Sequence, residues 1–184
     1  MSYPSPLALQ LPLEPYEVRE GYYKFGTRVR SRVILSARHL GDDLVVEAGT
    51  QVRAIGEGEV VWAGVRAGSK ETRNWGGLVV LAHQRKDFEK GRDIPETFYS
   101  VYGHMKDLTV KVKDTAAAGQ QLGVVAPGET PENGWWKIAH LHFAIYVGAW
   151  TGEILPGYKR PFDGRTKMKW WRDPKPFIEE YNKG

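Results

Sequence analysis

Apolar residues in this chain come in short runs, and glycine, proline or polar residues stop each run before it reaches the length of a helix. Gly77 to His83, Thr97 to Tyr102 and Ile138 to Val147 are rich in Val, Leu, Ile, Tyr and Phe, and each reads as a strand. Gln51 to Val65, interrupted at Gly56 and Gly58, reads as a strand pair. With 21 glycines and 11 prolines in 184 residues, the punctuation is denser than in an average globular chain. So few helical windows separate the runs that alternating βαβ units are excluded, and a mainly β, antiparallel assembly is expected. The length suits one domain with a sizeable core, and no internal repeat stands out.

Both ends depart from this pattern. Residues 1–20 carry Pro4, Pro6, Pro12 and Pro15 and read as an extended lead-in wrapped over the surface. They lack the basic start and unbroken apolar stretch of a signal peptide, and no run in the chain approaches a membrane span. Near the other end, Asp173 as N-cap, Pro174 at the first helical position and Phe177, Ile178 and Tyr181 on one face predict a short helix. The net charge of +4 is local: residues 159–184 hold eight basic and four acidic side chains, so the remainder is neutral. That distribution does not support a diffuse nucleic-acid-binding charge; a basic end suits either a solvated surface or contact with an anionic polymer.

There is no cysteine, so any metal must be held by His, Asp or Glu. Five histidines are present: His39, His83, His104, His140 and His142. In a strand, His140 and His142 project from one face while Leu141 and Phe143 point to the other. His39 and Asp43 lie four apart around Gly41, close enough for both to reach one ion. Together with one of the His140/His142 pair they would complete the three-ligand set of a catalytic zinc. Asp42, next to Asp43, would face away. No HExxH pattern occurs, which excludes a glutamate base on a zinc-binding helix.

In order and spacing, His39-x-Gly41-x-Asp43, Tyr102-Gly103-His104 and His140-Leu141-His142-Phe143 resemble the signature blocks of the lysostaphin/LytM-type zinc metallopeptidases. The segments Glu47 to Ala54, Gly58 to Val61, Asn74 to Val80 and Gly119 to Gly123 are similar too, so the resemblance runs from about Phe25 to Val147. It implies a fold, a barrel-sandwich hybrid over residues 21–157, with 158–184 as a basic extension whose helix packs on the same domain. It implies a zinc endopeptidase that cuts peptidoglycan crosslinks or stem peptides in the cell envelope, periplasmic or extracellular. It makes His39, Asp43 and His142 the Zn2+ ligands and His104 and His140 the proton-handling pair beside the metal-bound water. Peptidoglycan peptides are the implied partners, with anionic wall polymers meeting the basic end. No oligomeric state follows.

His83 has no place among these roles and reads as a strand-end side chain. Trp135 or Trp136 is expected at a groove wall. Two other readings compete: a non-catalytic LytM-like wall-binding or hydrolase-activating module, and a phosphocarrier barrel with paired histidines. The first has typically lost ligands, and all five positions are filled here. The second gives no reason for the carboxylate of Asp43. An intact site silenced by an inhibitory segment, with residues 1–20 as the candidate, would also fit the sequence.

Overall fold

The computed structural model describes residues 2–21, 23–29, 36–85 and 96–183. The strands follow in chain order as β1 (Arg28–Val29), β2 (Ala37–His39), β3 (Asp42–Leu44), β4 (Gln51–Arg53), β5 (Gly58–Arg66), β6 (Gly76–Gln84), β7 (Thr97–Lys106), β8 (Thr115–Ala116), β9 (Gln121–Val125), β10 (Leu141–Tyr146), β11 (Tyr158–Lys159) and β12 (Trp171–Arg172), the last preceded by one turn of 3-10 helix (Met168–Trp170) and followed by the α-helix of the described residues, α1 (Pro174–Tyr181). The fold is mainly antiparallel β. A nine-stranded sheet runs β12-β10-β7-β6-β5-β8, with β3 beside β10 and β9 bridging β7 and β4, and a small sheet pairs β1, β2 and β11.

Strands β6, β7 and β10 are buried along nearly their whole length, which is why they read as continuous apolar runs and not as alternation. Their two faces nonetheless divide the core. Val79, Leu81, Phe98, Tyr102, Leu141 and Phe143 join one cluster, and Leu78, Val80, Tyr99, Val101, Ala144 and Tyr146 the other. Each fully buried Leu or Phe contributes roughly 1.5–3 kcal/mol, so both faces are strongly specified.

Helix α1 and the N-terminal lead-in cover the first face. Phe177, Ile178 and Tyr181 pack there with Leu9, Leu13 and Tyr16, so the lead-in adds side chains to the core as well as wrapping it. It is tied by Gln10 N–H to the Ile55 carbonyl (2.7 Å) and by Arg53 N–H to the Pro12 carbonyl (2.8 Å). Asp173 precedes the helix but makes no side-chain capping bond; Pro174, which has no N–H to satisfy, starts it.

The segment from Gln51 to Val65 does not form a strand pair. β4 pairs with β9, while β5 pairs with β6 and β8. The break at Gly56 therefore separates two strands with different partners. Ile138 to His140 precede the ladder and Val147 follows it, so β10 is confined to residues 141–146 and carries His142 but not His140.

Candidate metal centre

Three adjacent strands build the centre on the second face. Asp43 of β3 and Gly103 of β7 are both Cα partners of His142, which lies between them on β10. Alternation sends Leu44 and Phe143 to the helix side and leaves Asp43 and His142 facing away from it. His39 ends β2, and Tyr158 pairs with it across β11.

The side chains converge tightly. His142 Nδ1 lies 2.9 Å from Asp43 Oδ1 and 3.1 Å from His39 Nε2, and His39 Nε2 lies 3.3 Å from Asp43 Oδ1. Donors arranged tetrahedrally around a small cation at about 2.0–2.1 Å stand roughly 3.3 Å apart, so the triangle fits three corners of such a site. Among the described residues, His39, Asp43 and His142 are the group of such side chains close enough to hold one ion. All three are buried. Burial alone would raise the Asp43 carboxyl, but His39, His142 and His140 around it hold it well below the usual carboxylate range. Burial pushes the His142 imidazole down despite the Asp43 carboxylate beside it.

Gly41 contributes space rather than a left-handed turn. A Cβ there would stand 2.5 Å from the Phe143 carbonyl oxygen and 2.7 Å from His142 Nε2, so glycine is what allows the His142 ring its position.

His104 and His140 stand beside this triangle, their ring centroids 4.5 Å apart. His140 Nδ1 is 2.8 Å from the Ile138 carbonyl and donates to it, which leaves Nε2 as the acceptor, 3.9 Å from Asp43 Oδ1. His104 reaches the centre through a defect in the sheet. Tyr102 and Met105 both belong to the helix-side cluster, and plain alternation would send His104 there as well. Instead the register shifts, with Gly77 opposite Met105 and Leu78 opposite Gly103, and His104 is the extra residue of a bulge with φ 65°. Burial, then the neighbouring His140 and His142, hold its pKa well below the ordinary imidazole value.

Aromatic side chains wall the centre. Trp75 meets His142 edge to face at 4.9 Å and donates Nε1–H to the Leu155 carbonyl at 2.8 Å. Tyr158 stacks on His39 at 5.1 Å, and Trp136 packs against His104 and His140. Trp75, Trp136 and Tyr158 line a cleft of about 720 Å³, and His104 and His142 lie in its wall. Of the two expected tryptophans, Trp136 is in the wall and Trp135 is not. Trp75 and Tyr158 were not expected; Trp75 carries a local signal only in its place before Gly76-Gly77, and Tyr158 carries none.

Other sequence candidates fall elsewhere. Asp42 turns to the helix side, accepting Tyr16 O–H at 2.7 Å and Phe25 N–H at 2.9 Å, and cannot compete for a metal. His83 is buried, with Nε2 2.8 Å from Ser100 Oγ and Nδ1 2.7 Å from the Glu57 carbonyl, and it stacks on Phe98. It is a core side chain with no contact to the centre. None of residues 2–21 lines the cleft.

Solved structures share this architecture. The catalytic domain of the antimicrobial peptidase lysostaphin from Staphylococcus simulans is 25% identical, with 85% of this chain and 90% of that one covered and a TM-score of 0.53. LytU is 22% identical over 91% and 92% of the two chains, with a TM-score of 0.54. The catalytic domain of the prophage-encoded M23 protein EnpA from Enterococcus faecalis, solved as a point mutant, is 20% identical over 86% and 98%, with a TM-score of 0.52. No curated protein sequence matches the chain. Residues 37–153, which span His39 to His142 and well over half of the sequence, match the model of peptidase family M23, and the chain belongs to that family.

Proposed function

We propose that the protein is a zinc-dependent endopeptidase that hydrolyses peptide bonds in the crosslinks or stem peptides of bacterial peptidoglycan. The observation that carries this reading is the triangle of His39 Nε2, Asp43 Oδ1 and His142 Nδ1, with edges of 2.9–3.3 Å, set beside His104 and His140, with His104 lining an adjoining cleft. Two imidazoles and one carboxylate suit zinc, and these residues would hold it. When bound, zinc supplies a Lewis acid for the scissile carbonyl and acidifies water to the neutral range.

Proton transfer belongs to the chain's own residues. The His104 ring is buried beside His140 and His142, which hold its pKa below the ordinary imidazole value, and in this role it takes a proton from the attacking water and returns it to the leaving amine. His140, its Nδ1–H fixed by the Ile138 carbonyl, presents Nε2 to the same space and, once protonated, stabilises the developing negative charge. The aromatic walls give an extended peptide flat surfaces to lie on. The likeness to an antimicrobial peptidase supports a bacterial-wall substrate, and such a substrate puts the protein in the cell envelope, periplasmic or extracellular. The basic residues after Tyr158 suit contact with anionic wall polymers.

Zinc content and digestion of peptidoglycan fragments test this together. Wild type should carry one zinc per chain and release cleaved peptides. His142→Ala and Asp43→Ala should lose the metal, and His104→Ala should keep it while turnover falls by ~10²–10⁴. Zinc retained after both ligand substitutions would sink the assignment, and full loading without cleavage would favour a non-catalytic wall-binding module.

A further inference from the structure

The cleft wall carries more positive charge than the protein neutralises. Arg66, Arg73 and Arg165 line it, and Glu153 is the acid among its described lining residues. Arg165 is occupied by a fork of contacts to the Asp163 carboxylate at 2.5–3.1 Å, with Glu153 also acting on it. Arg66 and Arg73 have no carboxylate partner among the described residues.

Arg73 is also held in place. Its guanidinium lies over the Trp136 ring, 5.2 Å from the centroid, and its Nε–H donates to the Trp135 carbonyl at 3.3 Å. Trp136 in turn packs on His104 and His140, so one ring separates a fixed guanidinium from the proton-handling pair. With Nε–H engaged by the Trp135 carbonyl, the terminal N–H donors of the planar group remain. A planar fork of this kind recognises a carboxylate with two parallel hydrogen bonds. Glycine bridges have no side-chain charge to offer it, whereas stem peptides, with their γ-linked glutamate and diaminopimelate, carry free carboxylates.

We propose that Arg66 and Arg73 form a recognition site for a free substrate carboxylate, so that the peptide cut is a carboxylate-bearing stem and not a glycine bridge. This rests on the peptidoglycan-peptidase reading and narrows it. Arg73 is the fixed element, and Arg66 adds charge along the same wall.

The test uses a stem peptide with its carboxylates free and the same peptide with each converted to a primary amide. Both are titrated calorimetrically into metal-free wild type, the Arg66→Gln/Arg73→Gln double variant and Arg165→Gln. Wild type and Arg165→Gln should bind the acid form about tenfold or more tightly than the amide, and the double variant should bind both alike. Equal affinity in wild type, including no detectable binding of either peptide, overturns the inference; so does a preference that survives in the double variant. With zinc loaded, cleavage of glycine-bridged fragments as fast as stem peptides overturns it as well. If loaded wild type cuts neither while the acid preference persists in binding, the peptidase reading fails and carboxylate recognition stands.

Discussion

Asp43 and His142 are direct partners across neighbouring strands, and Oδ1 of one lies 2.9 Å from Nδ1 of the other. Their spacing is thus set by the backbone ladder rather than by a loop. Asp43→Asn keeps the shape and removes the charge, and it should weaken metal affinity by at least about 100-fold in a competitive titration. Unchanged affinity would reject Asp43 as a ligand.

Chelation should destabilise wild type and leave His142→Ala unmoved. Metal held at about 100 times its dissociation constant adds about 2.7 kcal/mol, which for a chain of this size is roughly 5–10 °C in Tm. A thermal melt with and without chelator decides it; equal shifts in both proteins would disconnect His142 from the metal.

Gly41→Ala puts a methyl carbon where 2.5–2.9 Å separates it from Phe143 O, His142 Nε2 and Ala144 Cβ. The variant should lose ~1–3 kcal/mol by overpacking and, because the displaced ring belongs to the proposed metal triangle, should also bind metal less well. Normal metal affinity in a destabilised Gly41→Ala would mean that the ring yields without moving its Nδ1.

The bulge at His104 stores backbone strain, since a non-glycine residue at φ 65° costs about 1–2 kcal/mol. His104→Gly should therefore be more stable than His104→Ala by about 1 kcal/mol in urea denaturation, although both should lose turnover under the proposed mechanism. Equal stabilities would show that the bulge is relaxed.

His83 gives a pH signature of the core. Burial lowers its pKa to about 4, against a weaker upward pull from the Glu57 carbonyl. Between pH 6.5 and 4 the unfolded chain binds a proton that the native state refuses, so the stability this group provides is complete above 6.5 and falls with pH, by about 3 kcal/mol at pH 4. In a His142→Ala background, where metal release does not intrude, His83→Gln should flatten the stability profile across that window. An unchanged slope would mean that His83 titrates normally.

His39 and Asp43 were legible as a pair because they sit four apart around Gly41, whereas spacing left His140 and His142 open as the third member and only the resemblance singled out His142. The site of His104 was legible only through resemblance, since period two sends it to the wrong face and nothing nearby in sequence announces the bulge. Trp75 and Tyr158 were missed for another reason. Their places depend on partners such as Leu155 and His39, 80 and 119 residues away, and a chain read locally has no means of pairing them. The false strand pair at Gln51 to Val65 has the same origin: short strands show their existence, while their partners are fixed by the whole sheet.

The two ends of the chain are stitched to each other. Leu9 exchanges two hydrogen bonds with the Asn182 side chain (2.8 and 2.7 Å), and Tyr181 O–H donates to the Pro6 carbonyl at 2.7 Å. Tension applied between residues 2 and 183 is carried first by these bonds, on the helix side of the sheet. The histidine cluster lies on the other face of the sheet, so this stitch would part before His39, Asp43 and His142 were drawn from one another.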